Sequence, residues 1–180
     1  AASDESEDGT DAIFARYEAR GVRWTRLAPR MGKNPALNAL APSLRGDIWI
    51  FTDANTMLAR DAVRRLAAAF ADPRVGLVCG QLDYRVNNAR GHCGKRVGAL
   101  EMLFWRWDQW LKRLESRLGF LTGANGGLFA MRREVWRPED AVATNDFMQA
   151  IWTVCQGRLA IYEPRALAVE APSERVAQEF

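Results

Sequence analysis

Short apolar runs alternate with amphipathic stretches along nearly the whole of this chain, and that alternation limits what it can fold into. "VRWTRLA" (22–28) alternates apolar and basic residues, as a half-buried strand does. Ile48, Trp49, Ile50 and Phe51 form a continuous apolar run, and residues 47–52 read as a buried strand. "VGLVCGQLDYRV" (75–86), "LFAMR" (128–132), "RLAIYEP" and "ALAVEA" read as further strands. Between them the pattern predicts helices over 8–20, 34–42, 59–72, 97–118 and 145–157. Asp8 or Thr10 caps the first, Pro35 sits in the first turn of the second, and Pro73 and Gly157 end the third and last. Such alternation predicts an α/β fold with a largely parallel sheet flanked by helices. A length of 180 residues suffices for one domain with a sizeable core.

The longest helix, 97–118, repeats Leu100, Leu103, Phe104, Trp107, Leu111, Leu114 and Leu118 at three- and four-residue steps, which gives one apolar face. We expect that face to cover the sheet. The basic residues Arg106, Lys112, Arg113 and Arg117, with Trp105, Trp107 and Trp110, also suit a membrane interface.

Composition narrows the function classes. The chain is 48% hydrophobic and 26% charged, ordinary for a globular protein and too apolar for disorder. A net charge of +3, with scattered Lys and Arg, argues against a dedicated nucleic-acid binder. The cysteines at 79, 93 and 155 form no metal-binding spacing; Cys79 and Cys155 lie in apolar runs and are expected as core thiols in a reducing compartment. No apolar run has the length of a membrane span, and no signal peptide is visible. "AASDESEDGT" begins at a strand end and "SERVAQEF" stops inside a helix-like stretch, so an internal fragment of a longer protein is expected.

The strand 47–52 runs into Asp53, Ala54 and Asn55. Ligands of open α/β sheets gather at the carboxyl ends of strands. A carboxylate and a carboxamide there could hold Mg²⁺ or Mn²⁺, and through it a diphosphate. The same pair could instead cap the next turn. Lys33 follows a glycine and precedes a helix, where it could meet a phosphate or a base carbonyl, or stay solvated. Leu27 and Asn34 rule out a Walker A loop around it. Asp4 stands at a strand end, ahead of a turn at Asp8, Gly9 and Thr10. "TGANGG" (122–127) could bring backbone N–H groups close to a ligand, or simply supply a connection with positive φ. Asp146 sits at a helix N-terminus, which stabilises an acid; in a cleft it could act as a general base. His92 is the only histidine and supports no Ser/His/Asp set.

Taken in order, "SDESEDGTDAI", "GKNPALN", "GDIWIFTDANT", "GANGGLFAMRREVW", "TNDF" and "YEPRALAVE" resemble a family 2 glycosyltransferase. The likeness is strongest to the membrane-bound branch of cellulose, chitin and hyaluronan synthases, and runs from about residue 2 to 172. The resemblance implies a GT-A fold whose first strand precedes Ala1, a single catalytic domain over 1–180 cut at both ends, and an unpaired sheet edge where that strand belongs. It implies that Asp4 binds the uracil end of a nucleotide sugar, with Lys33 and Asp53 also on the nucleotide. Asp53 matches the first acid of the family's DxD motif, and Asn55 replaces the second. The metal is Mg or Mn on Asp53 and Asn55. Gly123, Ala124, Asn125, Gly126 and Asn145 line the sugar and acceptor site. "TND" stands for the family's TED, which makes Asp146 the catalytic base, with Asn145 in place of glutamate. The partners implied are a nucleotide-sugar donor, a glycan or lipid acceptor, and the membrane through segments outside this chain, at the cytoplasmic face of the inner membrane. The reaction is an inverting hexosyl transfer from a UDP-sugar. Trp105 projects away from the apolar face of its helix and could stack on an acceptor glycan. No QxxRW motif of processive members occurs. Two rival readings are a degenerate nucleotide-sugar-binding domain and a Mg²⁺-dependent phosphohydrolase of the haloacid dehalogenase type. The latter requires DxDxT, whereas residues 53–57 read DANTM.

Overall fold

The computed structural model describes residues 1–84, 99–141 and 143–170. The predicted loop carrying His92 and Cys93 lies outside them, as does "SERVAQEF". The elements run β1 (Ala2–Asp4), α1 (Thr10–Glu18), β2 (Thr25–Leu27), α2 (Lys33–Leu40), a 3-10 turn (Ala41–Ser43), β3 (Ile48–Phe51), β4 (Thr56–Leu58), α3 (Ala62–Ala69), β5 (Val75–Tyr84), α4 (Ala99–Arg117), β6 (Phe129–Arg132), α5 (Asn145–Cys155) and β7 (Leu159–Glu170).

Five strands form one sheet in the order β3-β6-β5-β7-β4, and β1 and β2 pair separately. The α/β class and the mixed sheet flanked by helices agree with the sequence reading; the parallel majority needs correction. Parallel pairing joins β1 to β2 and β5 to β7, while β3–β6, β5–β6 and β4–β7 are antiparallel. The reason lies in the order: β6 enters between β3 and β5, opposite in direction to both.

Alternation along the central strands feeds two cores. Val78 and Leu82 of β5 and Ala130 of β6 face Ala62, Leu66 and Phe70 of the α3 region. Leu77 and Cys79 of β5 and Phe129 and Met131 of β6 face the other way, onto Leu121, Val135 and Ala150 of α5. A period of two places successive side chains on opposite faces, so each central strand is covered twice. Fully burying a Leu or Phe side chain contributes about 1.5–3 kcal/mol.

Four local expectations change. The run 47–52 is not a buried strand: β3 is an edge, Trp49 is buried, and Ile50 is exposed. "RLAIYEP" and "ALAVEA" are one strand, β7. Its pairing with β5 jumps from Gly80↔Glu163 to Gln81↔Leu167, and the bulge so formed takes Pro164 out of the ladder. Cys155 is exposed at the end of α5, while Cys79 is a core thiol. Helix α4 does not cover the sheet with its apolar stripe; Leu103, Trp107, Trp110, Leu114 and Leu118 are exposed.

Candidate active site

The site begins where β1 ends. The Asp4 carboxylate accepts the backbone N–H of Met31 at 2.9 Å and of Gly32 at 2.7 Å. The Met31 N–H, then that of Gly32 and the Arg30 guanidinium, hold this carboxyl below its ordinary range. Gly32 stands at φ 93°, a region that side-chain-bearing residues rarely enter, and this turns its N–H onto Asp4 as α2 begins. Lys33, the first residue of α2, then reaches across to β3's end. Its Nζ lies 2.5 Å from Asp53 Oδ1.

Asp53 and Asp146 converge on Gly126. A Cβ built on Gly126 would lie 3.2 Å from Asp146 Oδ2 and 3.6 Å from Asp53 Oδ2. The missing side chain is what leaves room between the two acids. The glycine loop is pinned on both sides: Ala124 N–H donates to the Asp146 carbonyl (3.3 Å), and Asn125 Nδ2 donates to the Gly80 carbonyl of β5 (2.7 Å). Asn125 N–H also meets Cys79 Sγ at 3.1 Å, in surroundings whose burial pushes that thiol up to about 12. Gly123 faces Phe147, whose ring would lie 3.3 Å from a Cβ at that position.

Asp146 occupies the first turn of α5. Its Oδ1 accepts the Phe147 N–H at 3.1 Å, which leaves Oδ2 toward Gly126. Asn145 beside it is buried, and its Oδ1 has no hydrogen-bond partner. Behind α5, buried Gln149 donates to the Arg137 carbonyl at 2.5 Å and to Glu139 at 2.9 Å. Burial, then neighbouring Asp140, raises the Glu139 carboxyl above its ordinary range.

Two amides tie the halves of the site together. Asn34 Nδ2 donates to the carbonyls of Asp140 and Ala143, both at 2.7 Å. Asn38, one turn on, exchanges two hydrogen bonds with the Glu139 backbone. Helix α2, which carries Lys33, is thereby fixed to the segment leading into Asp146. The signal was present in "KNPALN": two amides four apart share one face of a helix.

The structure thus brings Asp53, Lys33, Gly126 and Asp146 together, with Asp4 at the base of the same helix and Ala124 and Asn125 holding the loop. Asn55 departs from this group. It is exposed, and its Nδ2 donates to the carboxylate of Glu170, the last residue of β7. Glu170 was missed in the sequence, where only its place at the end of "ALAVE" marked it. The antiparallel register that sets Thr56 opposite Glu170 carries it to the turn holding Asp53. We expect Asn55→Asp to lower the melting temperature, because two carboxylates then meet, and Asn55→Asp/Glu170→Gln to restore it. Equal melting of the single variant and the parent contradicts the pairing.

The donor set suits a hard divalent cation. Asp53 turns Oδ2 toward the gap at Gly126 while its Oδ1 holds the Lys33 ammonium. Among the described residues no three His, Cys, Asp or Glu side chains form a metal-binding group. Mg²⁺ and Mn²⁺ take one or two carboxylates and complete their shell with water and substrate phosphates, so Asp53 is the residue that would hold such a cation.

A family model described as glycosyl transferase family 2 matches residues 1–137. A stretch of 83 residues, 44% of this chain and 19% of the relative, is 32% identical to an N-acetylglucosaminyltransferase of Rhizobium leguminosarum bv. viciae. Among solved structures, the mannosyltransferase PcManGT from Pyrobaculum calidifontis, in complex with GDP-Man and Mn²⁺, is 25% identical with a TM-score of 0.76, over 97% of this chain and 48% of its own. S. aureus TarS in complex with UDP-GlcNAc has a TM-score of 0.65 at 15% identity, over 97% of this chain and 49% of its own. GalNAc-T7 with UDP, GalNAc and Mn²⁺ has a TM-score of 0.66 at 17% identity, over 94% of this chain and 36% of its own. This chain therefore spans about half or less of each. All three structures share its α/β architecture, that of the GT-A type.

Proposed function

Because this chain belongs to glycosyl transferase family 2, we propose that it moves a hexose from a UDP-sugar to a glycan or lipid hydroxyl by a single inverting displacement. The observation that carries this reading is the convergence of Asp53 and Asp146 on Gly126, with Lys33 on Asp53.

In this reading Asp4, at the end of β1, accepts the imide N–H of the base. Lys33 leaves Asp53 for the diphosphate, where its positive charge offsets the negative charge that grows as the sugar departs. Asp53 holds the divalent cation, with Asn55 on the same turn. Bound there, the cation supplies Lewis-acid stabilisation of the leaving diphosphate. Gly126 gives the sugar room to lie between the acids, and Gly123, Ala124, Asn125 and Asn145 shape the acceptor side. Asp146 Oδ2 takes the proton of the acceptor hydroxyl as its oxygen bonds to the anomeric carbon. The bond from that carbon to the diphosphate oxygen breaks with its electron pair, so one displacement inverts the anomeric centre. The single catalytic domain belongs to this proposal, as does a place at the cytoplasmic face of the inner membrane.

A GDP-sugar donor is the second reading. The mannosyltransferase with GDP-Man supports it, and a carboxylate at Asp4 accepts from guanine as well as from uracil. A panel of UDP- and GDP-sugars, followed by nucleotide release with and without an acceptor, separates the two. Release from one UDP-sugar that rises with acceptor supports the proposal. Release from GDP-mannose alone moves the donor to GDP. Phosphate release from simple phosphomonoesters without nucleotide release would instead support the hydrolase reading.

A further inference from the structure

Helix α4 turns its apolar stripe outward. Leu103 is 62% exposed, Trp107 55%, Trp110 53% and Leu118 80%, and Leu114 continues the row between them. The opposite side of the helix is the one that meets the protein. Ser116 Oγ accepts the Tyr162 N–H of β7 at 2.8 Å, Glu115 accepts from Thr122, and Lys112 pairs with Asp108 at 2.6 Å while only 12% exposed. Asp108 and Glu115 are thus engaged on the inner side.

The outer flank is basic. Arg106 and Arg113 fall four and three residues from Trp110, and Arg117 lies four beyond Arg113, so they form a row beside the stripe, and all three are exposed. Among the described residues no helix is long and apolar enough to cross a membrane. A helix with Trp and Leu on one exposed face and arginines along its edge has the chemistry of one that lies in a membrane interface. We propose that α4 docks this domain flat against an anionic lipid surface, its tryptophans and leucines entering the headgroup layer and its arginines meeting lipid phosphates.

Charge complementarity selects this occupant over a second copy of the chain. Antiparallel pairing across the stripe would set one arginine row against another, whereas anionic headgroups neutralise the row. The inference rests on α4 alone and does not depend on the reaction proposed above.

Co-sedimentation of this chain with phosphatidylglycerol-containing vesicles, beside pure phosphatidylcholine vesicles, tests it. The chain is expected to bind the anionic vesicles and to be released by salt. Arg106→Gln/Arg113→Gln/Arg117→Gln is expected to weaken binding by on the order of a hundredfold, near fivefold per charge. Trp107→Ser/Trp110→Ser is expected to abolish it. All of these positions are exposed, and a cooperative thermal melt confirms that each variant is folded. Failure of the folded parent chain to bind anionic vesicles overturns the proposal. So does binding that both variants retain, or a concentration-dependent dimer that Trp107→Ser/Trp110→Ser disperses, which would give the face to a second copy.

Discussion

Asp146→Asn is expected to lower the rate of sugar transfer by about 10²- to 10⁴-fold, the usual contribution of a positioned general base. The substitution keeps the shape of the side chain and its acceptance of the Phe147 N–H, so α5 should start as before. What it removes is the proposed proton acceptor at Oδ2, the Asp146 atom nearest a Cβ at Gly126. The loss should therefore appear in kcat. Nucleotide affinity should hold or improve, because one negative charge beside Asp53 has gone. An Asn variant that turns over at the parent rate would place the base elsewhere. A parallel fall in nucleotide affinity and kcat would make Asp146 a binding residue.

The second large effect is on stability. Phe129→Ala should cost about 3–5 kcal/mol, roughly a 10 °C fall in melting temperature for a chain of this size. Phe129 is 1% exposed and stacks on Phe51 with ring centroids 4.6 Å apart and planes 5° from parallel. Phe51 is the last residue of β3, two positions before Asp53, and Phe129 opens β6 just after the glycine loop. The pair therefore joins the core to the two segments that frame the site, and the variant should also weaken nucleotide binding. Met57→Ala, on the edge strand β4 at 73% exposure, should change stability little. Similar losses in the two variants would contradict the assignment of the core.

The alternation of elements was legible because each strand and helix carries its own period. Relations between elements were not. The stripe on α4 was visible in sequence, but periodicity says that a face exists and not what it meets. A proline in "YEPRALA" suggested two strands, because the bulge that accommodates Pro164 depends on β5, its partner. Strand β4 was overlooked: three residues after a turn are too few to show a period. In the site, Asp4, Lys33, Asp53 and Asp146 each had an ordinary local explanation. Their meeting around Gly126 is a property of the fold, as is the turn of Asn55 toward Glu170.

Titration of UDP into the protein by calorimetry, with Mn²⁺, with Mg²⁺ and with EDTA, beside Asp53→Ala, tests the central claim most directly. The account predicts binding that requires a divalent cation and disappears in Asp53→Ala. Lys33 should be released from its contact with Asp53 in the process. Undiminished UDP binding in EDTA and in Asp53→Ala, or no binding of UDP by the folded protein under any condition, would contradict it.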